Sequence, residues 1–266
     1  MTHAALHPSA MQTVAQKLGD EMKPAEHVVS DLVRQGLPFA VGGGIAYGLY
    51  SGCWRNTGDL DLFVRPHDRQ AFIEVLAAHG FMDYFDRKGY DRGWIYRSHK
   101  GELIIDVIWQ MANYRAAVDD DWLTRGATFS AFGQALRAIP IEELMMAKLY
   151  IIQRERCDWP DVLGLLYQHG PTMDWEHLLE RIAEDRALLA GLVSVFSWLC
   201  PPRAAEFPES LWDRLGLRPP EPGPDCRLHH RRVDLLDSRA WFAPLMMSQG
   251  KPCAEETAAQ AKPPQE

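Results

Sequence analysis

One short apolar segment, DLDLFV at residues 59–64, limits more than any other feature what this chain can fold into. Its composition is typical of a β-strand, in which side chains two residues apart project from the same face. Asp59 and Asp61 therefore lie side by side, while the leucines and Val64 point the other way, toward a core. Two adjacent carboxylates repel each other and raise the pKa of one member, unless a divalent cation lies between them. The strand thus predicts a metal-binding carboxylate pair.

A third carboxylate, Asp106, interrupts the apolar run LIIDVIW at residues 103–109. A carboxylate within such a strand costs free energy unless it is paired or bound to a metal ion. If this strand lies beside the first, Asp106 joins Asp59 and Asp61. Three carboxylates with a triphosphate suit the two-metal arrangement for phosphoryl displacement. Two simpler interpretations stay open: Asp59 as a turn or capping residue after Gly58, and Asp106 in a salt bridge with an arginine.

Three consecutive glycines, Gly42, Gly43 and Gly44, follow a short apolar strand and precede a predicted helix. Glycines in this position let backbone N–H groups approach phosphate oxygens, and the N-terminus of a helix favours anions. The sequence matches neither GxGxxG nor a GK[ST] phosphate loop. The glycines therefore predict either a phosphate cradle or a plain tight turn.

Residues with an ordered spacing along the chain resemble the GGxA…RxTxDxD signature of the DNA polymerase β-like nucleotidyltransferase superfamily: Gly43, Gly44, Ala46, Arg55, Thr57, Asp59 and Asp61. Within this superfamily the chain is similar to small bacterial members near the toxin–antitoxin and antibiotic-nucleotidylating enzymes. The resemblance covers roughly residues 36–165. The chain departs from many members at Gly44, where they have a serine whose hydroxyl contacts a phosphate.

The resemblance implies roles for the glycines and the carboxylates. Gly43 and Gly44 would bind the triphosphate of a nucleoside triphosphate (NTP). Asp59, Asp61 and Asp106 would bind Mg²⁺, with two ions expected, and Asp106 would assist deprotonation of the acceptor hydroxyl. That hydroxyl would attack the α-phosphate, and pyrophosphate would leave.

Two basic residues are further candidates for phosphate binding. Arg55 would clamp a phosphate or hold the glycine turn, and its alternative is a surface ion pair. Lys148 lies on a predicted helix, from which it would reach the β- and γ-phosphates as a point charge. Its alternative is a solvated position on the helix surface.

The implied function is Mg²⁺-dependent transfer of a nucleoside monophosphate from an NTP onto a hydroxyl of a protein, a tRNA or a small molecule. The alternative is a non-catalytic nucleotide-binding or interaction module, such as one half of a toxin–antitoxin pair with a partner protein. The formal net charge of −8 weakens the case for a nucleic-acid acceptor.

The order of the predicted elements indicates an α+β fold, in which a small mixed β-sheet nucleotidyltransferase core is flanked by helices and followed by a helical C-terminal segment. We predict four parts: N-terminal helices at 1–35, the core at 36–139, a helical segment at 140–200, and a Pro-rich extension with a disordered tail at 201–266. Within them, residues 94–109 predict a hairpin connected by 99–101, residues 125–139 a pair of short strands, and residues 141–155 one long helix.

Composition indicates where a chain like this functions. Its five cysteines have no metal-ligand spacing, and its N-terminal residues lack the pattern of a signal peptide. No apolar run approaches the roughly 18 residues of a membrane span. We therefore expect a cytoplasmic protein that has no contact with a membrane.

Overall fold

The computed structural model describes residues 22–53, 57–221 and 230–236, together with isolated N-terminal positions: Leu6, Met11, Val14, Gln16, Leu18 and Gly19. Three predictions concern residues outside this described part of the chain. They are most of the first of the N-terminal helices predicted within 1–35, the phosphate contact of Arg55, and the disordered tail.

The chain divides into two compact units, Met1–Tyr150 with Met173–Arg181, and Ile151–Thr172 with Ile182–Glu266. The division into four parts stays a prediction.

A five-stranded sheet forms the centre of the first unit. Its strands, β1 to β5 in chain order, are Ala40–Val41, Asp59–Phe63, Met82–Asp83, Ile95–Lys100 and Leu103–Ile108. They lie in the order β1-β2-β5-β4-β3. β2 and β5 are parallel, whereas the other neighbours are antiparallel. The sheet is therefore mixed, and the predicted α+β class is confirmed.

The two central strands, β2 and β5, divide their side chains cleanly between the two faces of the sheet. On one face, alternate apolar residues have no exposed surface: Leu60, Leu62, Ile105 and Val107. The pairing of Asp61 with Asp106 places the acidic residues on the opposite face. The apolar face anchors both strands in the core, so that the acidic face is held in a constant position.

β4 and β5 form the predicted hairpin, but its connection is shorter than the predicted 99–101. The strands continue to Lys100 and resume at Leu103. Gly101 has a φ of 62°, and glycine at positive φ permits a tight two-residue connection of this kind. The two-residue turn sets the register of the hairpin, in which Arg97 is the cross-strand partner of Asp106.

Between residues 22 and 150, the described part of the first unit contains helices α1 to α5, which are Ala25–Arg34, Gly43–Ser51, Arg69–Ala78, Asp120–Thr124 and Ile141–Leu149. A second, two-stranded sheet consists of β6 (Thr128–Ala131) and β7 (Gln134–Arg137). It is the pair of short strands that was predicted for residues 125–139.

Helix α5 is shorter than the helix predicted over residues 141–155. It ends at Leu149, and further along the chain Ile152 and Cys157 form an isolated β-bridge. A helix is stabilised mainly by burying an apolar face, whereas Ile152 is 52% exposed. The prediction that the helix continues beyond Tyr150 is therefore wrong, because the residues that follow Tyr150 bury too little surface to extend the helix.

A buried ionic network joins α7 (Trp175–Ile182) to α5 within the first unit. His177 Nε2 lies 2.6 Å from Glu143 Oε1, and Arg181 Nε donates to the same oxygen at 3.1 Å. Arg181 also pairs with Asp119 at 2.5 Å. Glu143 is fully buried, and its hydrogen bond raises the pKa of His177. The network therefore compensates a carboxylate that would otherwise be very unfavourable in the core.

The second unit is helical. Its helices α6 and α8 to α11 are Trp159–His169, Arg186–Leu199, Pro201–Ala204, Glu209–Leu215 and His230–Leu236. Phe207 stacks on Phe196 and Trp212, with ring centres 5.4 and 6.1 Å apart. Among the described residues, no helix combines the length and the apolarity needed to cross a bilayer.

Candidate active site

Three carboxylates meet on the acidic face that β2 and β5 share. The parallel register sets Asp61 directly beside Asp106, and Asp59 precedes Asp61 by two residues on the same face of β2. One carboxylate oxygen from each residue lies within 4.8 Å of the other two. The structure thus brings together the three residues that the sequence indicated as metal ligands, and we call Asp59, Asp61 and Asp106 the carboxylate cluster.

The members of the carboxylate cluster differ in exposure. The side chain of Asp106 is 1% exposed, whereas that of Asp59 is 36% exposed. The Thr57 hydroxyl donates a hydrogen bond of 2.6 Å to Asp59 Oδ1. Asp59 therefore forms the solvent-facing edge of the cluster, where Thr57 orients its carboxylate, and Asp106 forms the buried end.

Arg97 is a member of this site that was not identified from the sequence. It lies on β4 opposite Asp106, and its Nε and Nη2 atoms donate to Asp106 Oδ1 and Oδ2 at 2.9 and 2.5 Å. Nη2 also lies 3.8 Å from Asp59 Oδ2. The salt bridge considered for Asp106 thus exists alongside the cluster. A prediction from the sequence that the hairpin has a two-residue turn beginning at Gly101 would have placed Arg97 directly opposite Asp106.

Asp61 has the least favourable electrostatic position in the cluster. Burial, and then the charges of Asp59 and Asp106, raise the pKa of its carboxyl to about 8, although the positive charges of Arg97 and Lys148 act in the opposite direction. A carboxyl with this pKa keeps a proton at neutral pH unless a cation replaces that proton.

Lys148 lies in the last turn of α5 and is buried, with 7% of its surface exposed. Its Nζ atom is 5.9 Å from the centre of the Tyr47 ring on α2, and its charge lowers the pKa of Asp61. The alternative of a solvated helix surface is therefore wrong for Lys148. Its position within electrostatic reach of the carboxylate cluster is compatible with a phosphate contact.

The glycine turn lies directly against the carboxylate cluster, where α2 begins. Gly43 has a φ of 55°, and an ideal Cβ atom on it would stand 1.6 Å from Asp61 Oδ2. A Cβ atom on Gly44 would stand 3.2 Å from the Thr57 Cβ atom. No side chain fits between the start of α2 and the Asp61 carboxylate, so glycine is required at 43 for both conformation and space.

The arrangement has two chemical capacities. Carboxylate oxygens that converge from two strands are the hard ligands that divalent cations such as Mg²⁺ prefer. The start of α2, with Gly43 and Gly44, presents backbone N–H groups beside them, as sites for phosphate do. The site can therefore hold a cation and an anionic phosphate next to each other.

This combination of a mixed sheet, a carboxylate cluster and a glycine turn is the arrangement expected of a nucleotidyltransferase from the sequence resemblance. Residues 25–194, more than half of the chain, match the family described as "uncharacterised nucleotidyltransferase". The chain belongs to this family and is a transferase enzyme. The resemblance drawn from the GGxA…RxTxDxD residues is thereby confirmed.

Several solved structures are similar to the chain at low sequence identity. The solution structure of the antibiotic-resistance factor ANT(2″)-Ia has 16% identity and a TM-score of 0.45, covering 65% of this chain and 96% of that chain. The lincosamide antibiotic adenylyltransferase LnuA has 14% identity and a TM-score of 0.40, covering 54% and 94%. JHP933 from Helicobacter pylori has 17% identity and a TM-score of 0.35, covering 71% and 79%. Among curated proteins, none matches the chain.

Proposed function

We propose that the chain transfers a nucleoside monophosphate from an NTP to a hydroxyl of an acceptor, in a reaction that depends on Mg²⁺. The observation that carries this proposal is the meeting of Asp59, Asp61 and Asp106 within 4.8 Å of one another, directly beside the turn at Gly43. The family match supports nucleotidyl transfer in general. The Mg²⁺ dependence, the acceptor hydroxyl and the roles of single residues are the proposed part.

The charges of the site favour a divalent cation. If all three were ionised, Asp59, Asp61 and Asp106 would contribute −3 against the +1 of Arg97, which leaves −2 in a small and partly buried site. Burial, and then the neighbouring charges of Asp59 and Asp106, raise the pKa of Asp61, so its ionised form is unfavourable without a cation. The three carboxylates would hold Mg²⁺, with two ions as the expected number. Bound Mg²⁺ would offset the negative charge of the triphosphate as it develops during displacement.

The residues of the chain itself would bind and orient the substrates. Backbone N–H groups of Gly43 and Gly44 would contact the triphosphate at the start of α2. Lys148, and Arg55 from the sequence signature, would add positive charge toward the phosphates. These contacts would align the α-phosphate for attack.

Asp106 is the residue that we assign to proton transfer. Burial raises the pKa of its carboxyl, and the hydrogen bond from Arg97 opposes that effect. Asp106 would accept the proton of the acceptor hydroxyl as the oxygen of that hydroxyl attacks the α-phosphate. The bond between the α- and β-phosphates would break, and pyrophosphate would leave.

A transfer assay tests the proposal. The purified chain is incubated with each α-³²P-labelled NTP, Mg²⁺ and a bacterial lysate, and the labelled products are separated into protein, RNA and small-molecule fractions. We expect label in one fraction, its loss in EDTA and in Asp61→Asn, and its retention in Asp120→Asn, where the side chain is 75% exposed outside the cluster.

The fraction that carries the label identifies the acceptor class. A different result would contradict the proposal. If no fraction is labelled and Mg²⁺ with ATP does not raise the melting temperature, the chain is instead a non-catalytic module, such as a toxin–antitoxin interaction partner. Binding of ATP without transfer would indicate the nucleotide-binding form of that alternative.

A further inference from the structure

The contact between Arg97 and Asp106 is the closest ion pair of the site, and the proposed reaction leaves the arginine without a role. The guanidinium engages both oxygens of Asp106, which is the fork geometry of strong arginine–carboxylate pairs. The side chain of Arg97 is 34% exposed, whereas that of Asp106 is 1% exposed. One member of the pair can therefore swing toward solvent, and the other is held in the sheet.

Asp106 cannot fully serve the guanidinium and a metal ion together. Its Oδ2 atom accepts from Nη2 at 2.5 Å and from Nε at 3.1 Å, and its Oδ1 atom accepts from Nε at 2.9 Å. A cation drawing on these oxygens would stand a few ångströms from a positive guanidinium, where like charges repel strongly in a partly buried site. The same guanidinium extends toward Asp59, so its charge faces the cluster.

We propose that Arg97 is the resident counter-cation of the carboxylate cluster, and that a divalent cation engages Asp106 only when Arg97 moves away. The free energy by which Arg97 stabilises the metal-free protein is then the same free energy by which it weakens metal binding. This inference rests on the proposed function, because it concerns the regulation of the same site. It assigns Arg97 the part of a positioning residue that controls metal loading.

Mn²⁺ binding to the full chain, measured by isothermal titration calorimetry after removal of metals with EDTA, tests the inference. We expect Arg97→Gln to bind Mn²⁺ about 10- to 100-fold more tightly than the wild type, which is the range that corresponds to loss of one charge-assisted hydrogen-bonded competitor. Arg97→Lys keeps the charge without the fork and should lie between them.

Arg92→Gln is the matched control for the loss of one positive charge. Arg92 pairs with Asp83 at 2.6 Å, outside the cluster, and its side chain is 54% exposed. Its removal should change Mn²⁺ affinity by no more than about twofold, because exposed charges are screened by salt. An unchanged or weaker affinity in Arg97→Gln would overturn the inference.

Thermal unfolding separates counter-ion competition from a merely structural role. In EDTA, Arg97→Gln should melt below the wild type, because Asp106 loses its partner. Saturating Mn²⁺ should then raise the melting temperature of Arg97→Gln by more than it raises that of the wild type. Equal increments in both proteins would show that Arg97 only supports the fold. If Arg97→Gln does not fold, Arg97→Lys carries the affinity test, with tighter Mn²⁺ binding than the wild type as the expected result and unchanged or weaker binding as the contrary one.

Asp61→Asn distinguishes failure of this inference from failure of the proposed function. If neither the wild type nor Arg97→Gln binds Mn²⁺, both proposals fail together. If Mn²⁺ binding is lost in Asp61→Asn but is the same in the wild type and Arg97→Gln, the metal site stands and the role of Arg97 is wrong.

Discussion

Replacing Asp61 by asparagine should abolish nucleotidyl transfer and yet stabilise the metal-free protein. The pKa of the Asp61 carboxyl is about 8 in the folded chain, against an ordinary value of 3.8. The folded protein therefore retains a proton that the unfolded chain releases, and stability falls as the pH rises from about 4 to about 8. Asparagine has nearly the same shape and carries no charge, so it removes this loss.

The magnitude follows from the shift in pKa. At pH 7, about three pH units above the ordinary value, a proton held only by the folded state corresponds to an upper limit of about 4 kcal/mol. Asp61 retains some solvent contact, and the cluster can relax, so we expect about 2 kcal/mol. That free energy corresponds to a rise of roughly 4–8 °C in melting temperature for a domain of this size.

Circular dichroism melting in EDTA at pH 4 and pH 8 measures the effect. The advantage of Asp61→Asn should be small at pH 4 and largest at pH 8. Saturating Mg²⁺ should reverse the order, because only the wild type has the full set of ligands. An Asp61→Asn protein that is no more stable than the wild type at pH 8 in EDTA would refute the electrostatic reasoning, and so would an advantage that is equal at both pH values.

Three further predictions concern neighbouring features. Gly43→Ala introduces a Cβ atom against Asp61 at positive φ, so it should lose at least about 2 kcal/mol of stability and most NTP binding; wild-type urea denaturation would contradict this. Glu143→Ala removes the carboxylate partner of the buried His177, so it should cost about 3–5 kcal/mol in urea denaturation; a loss below about 1 kcal/mol would show that the network is dispensable. Thr57→Val removes the hydrogen bond to Asp59 and should raise KM for Mg²⁺-NTP roughly 3- to 10-fold in transfer assays, whereas Thr57→Ser should stay close to wild type; equal values for both variants would exclude a role for the hydroxyl.

The carboxylate pair was predictable from the sequence because strand alternation is a local rule. Asp59 and Asp61 share a face in any strand, whatever lies beside it. Asp106 required one further assumption, that its strand is a neighbour of the first, and a carboxylate in an apolar strand made that assumption reasonable. The parallel pairing of β2 and β5 supplied the contact itself.

Arg97 and Lys148 show where local rules end. Arg97 meets Asp106 only because the hairpin turns at Gly101, and a turn one residue longer would have changed its partner. The helical sequence around Lys148 is compatible with either an exposed or a buried side chain, and the packing of α5 buries it. Neither the partner of Arg97 nor the burial of Lys148 can be predicted from composition or periodicity.

The length of α5 shows the same limit of prediction from local sequence patterns, and here the reason is the stability of the helix. The pattern from residue 141 to residue 155 continues to suit a helix, yet the helix ends at Leu149. Helical pattern is a local property, whereas the free energy that sustains a helix in a protein comes mostly from burial against other elements.

The sequence by itself determined the α+β class, the glycine turn and the acidic face of a central strand, because propensity, strand alternation and backbone sterics act over a few residues. Only the tertiary structure decided that three carboxylates meet, that Arg97 neutralises one of them, and that Asp61 is left with a raised pKa. These properties depend on strand register and burial, and both arise from contacts between residues far apart in the chain.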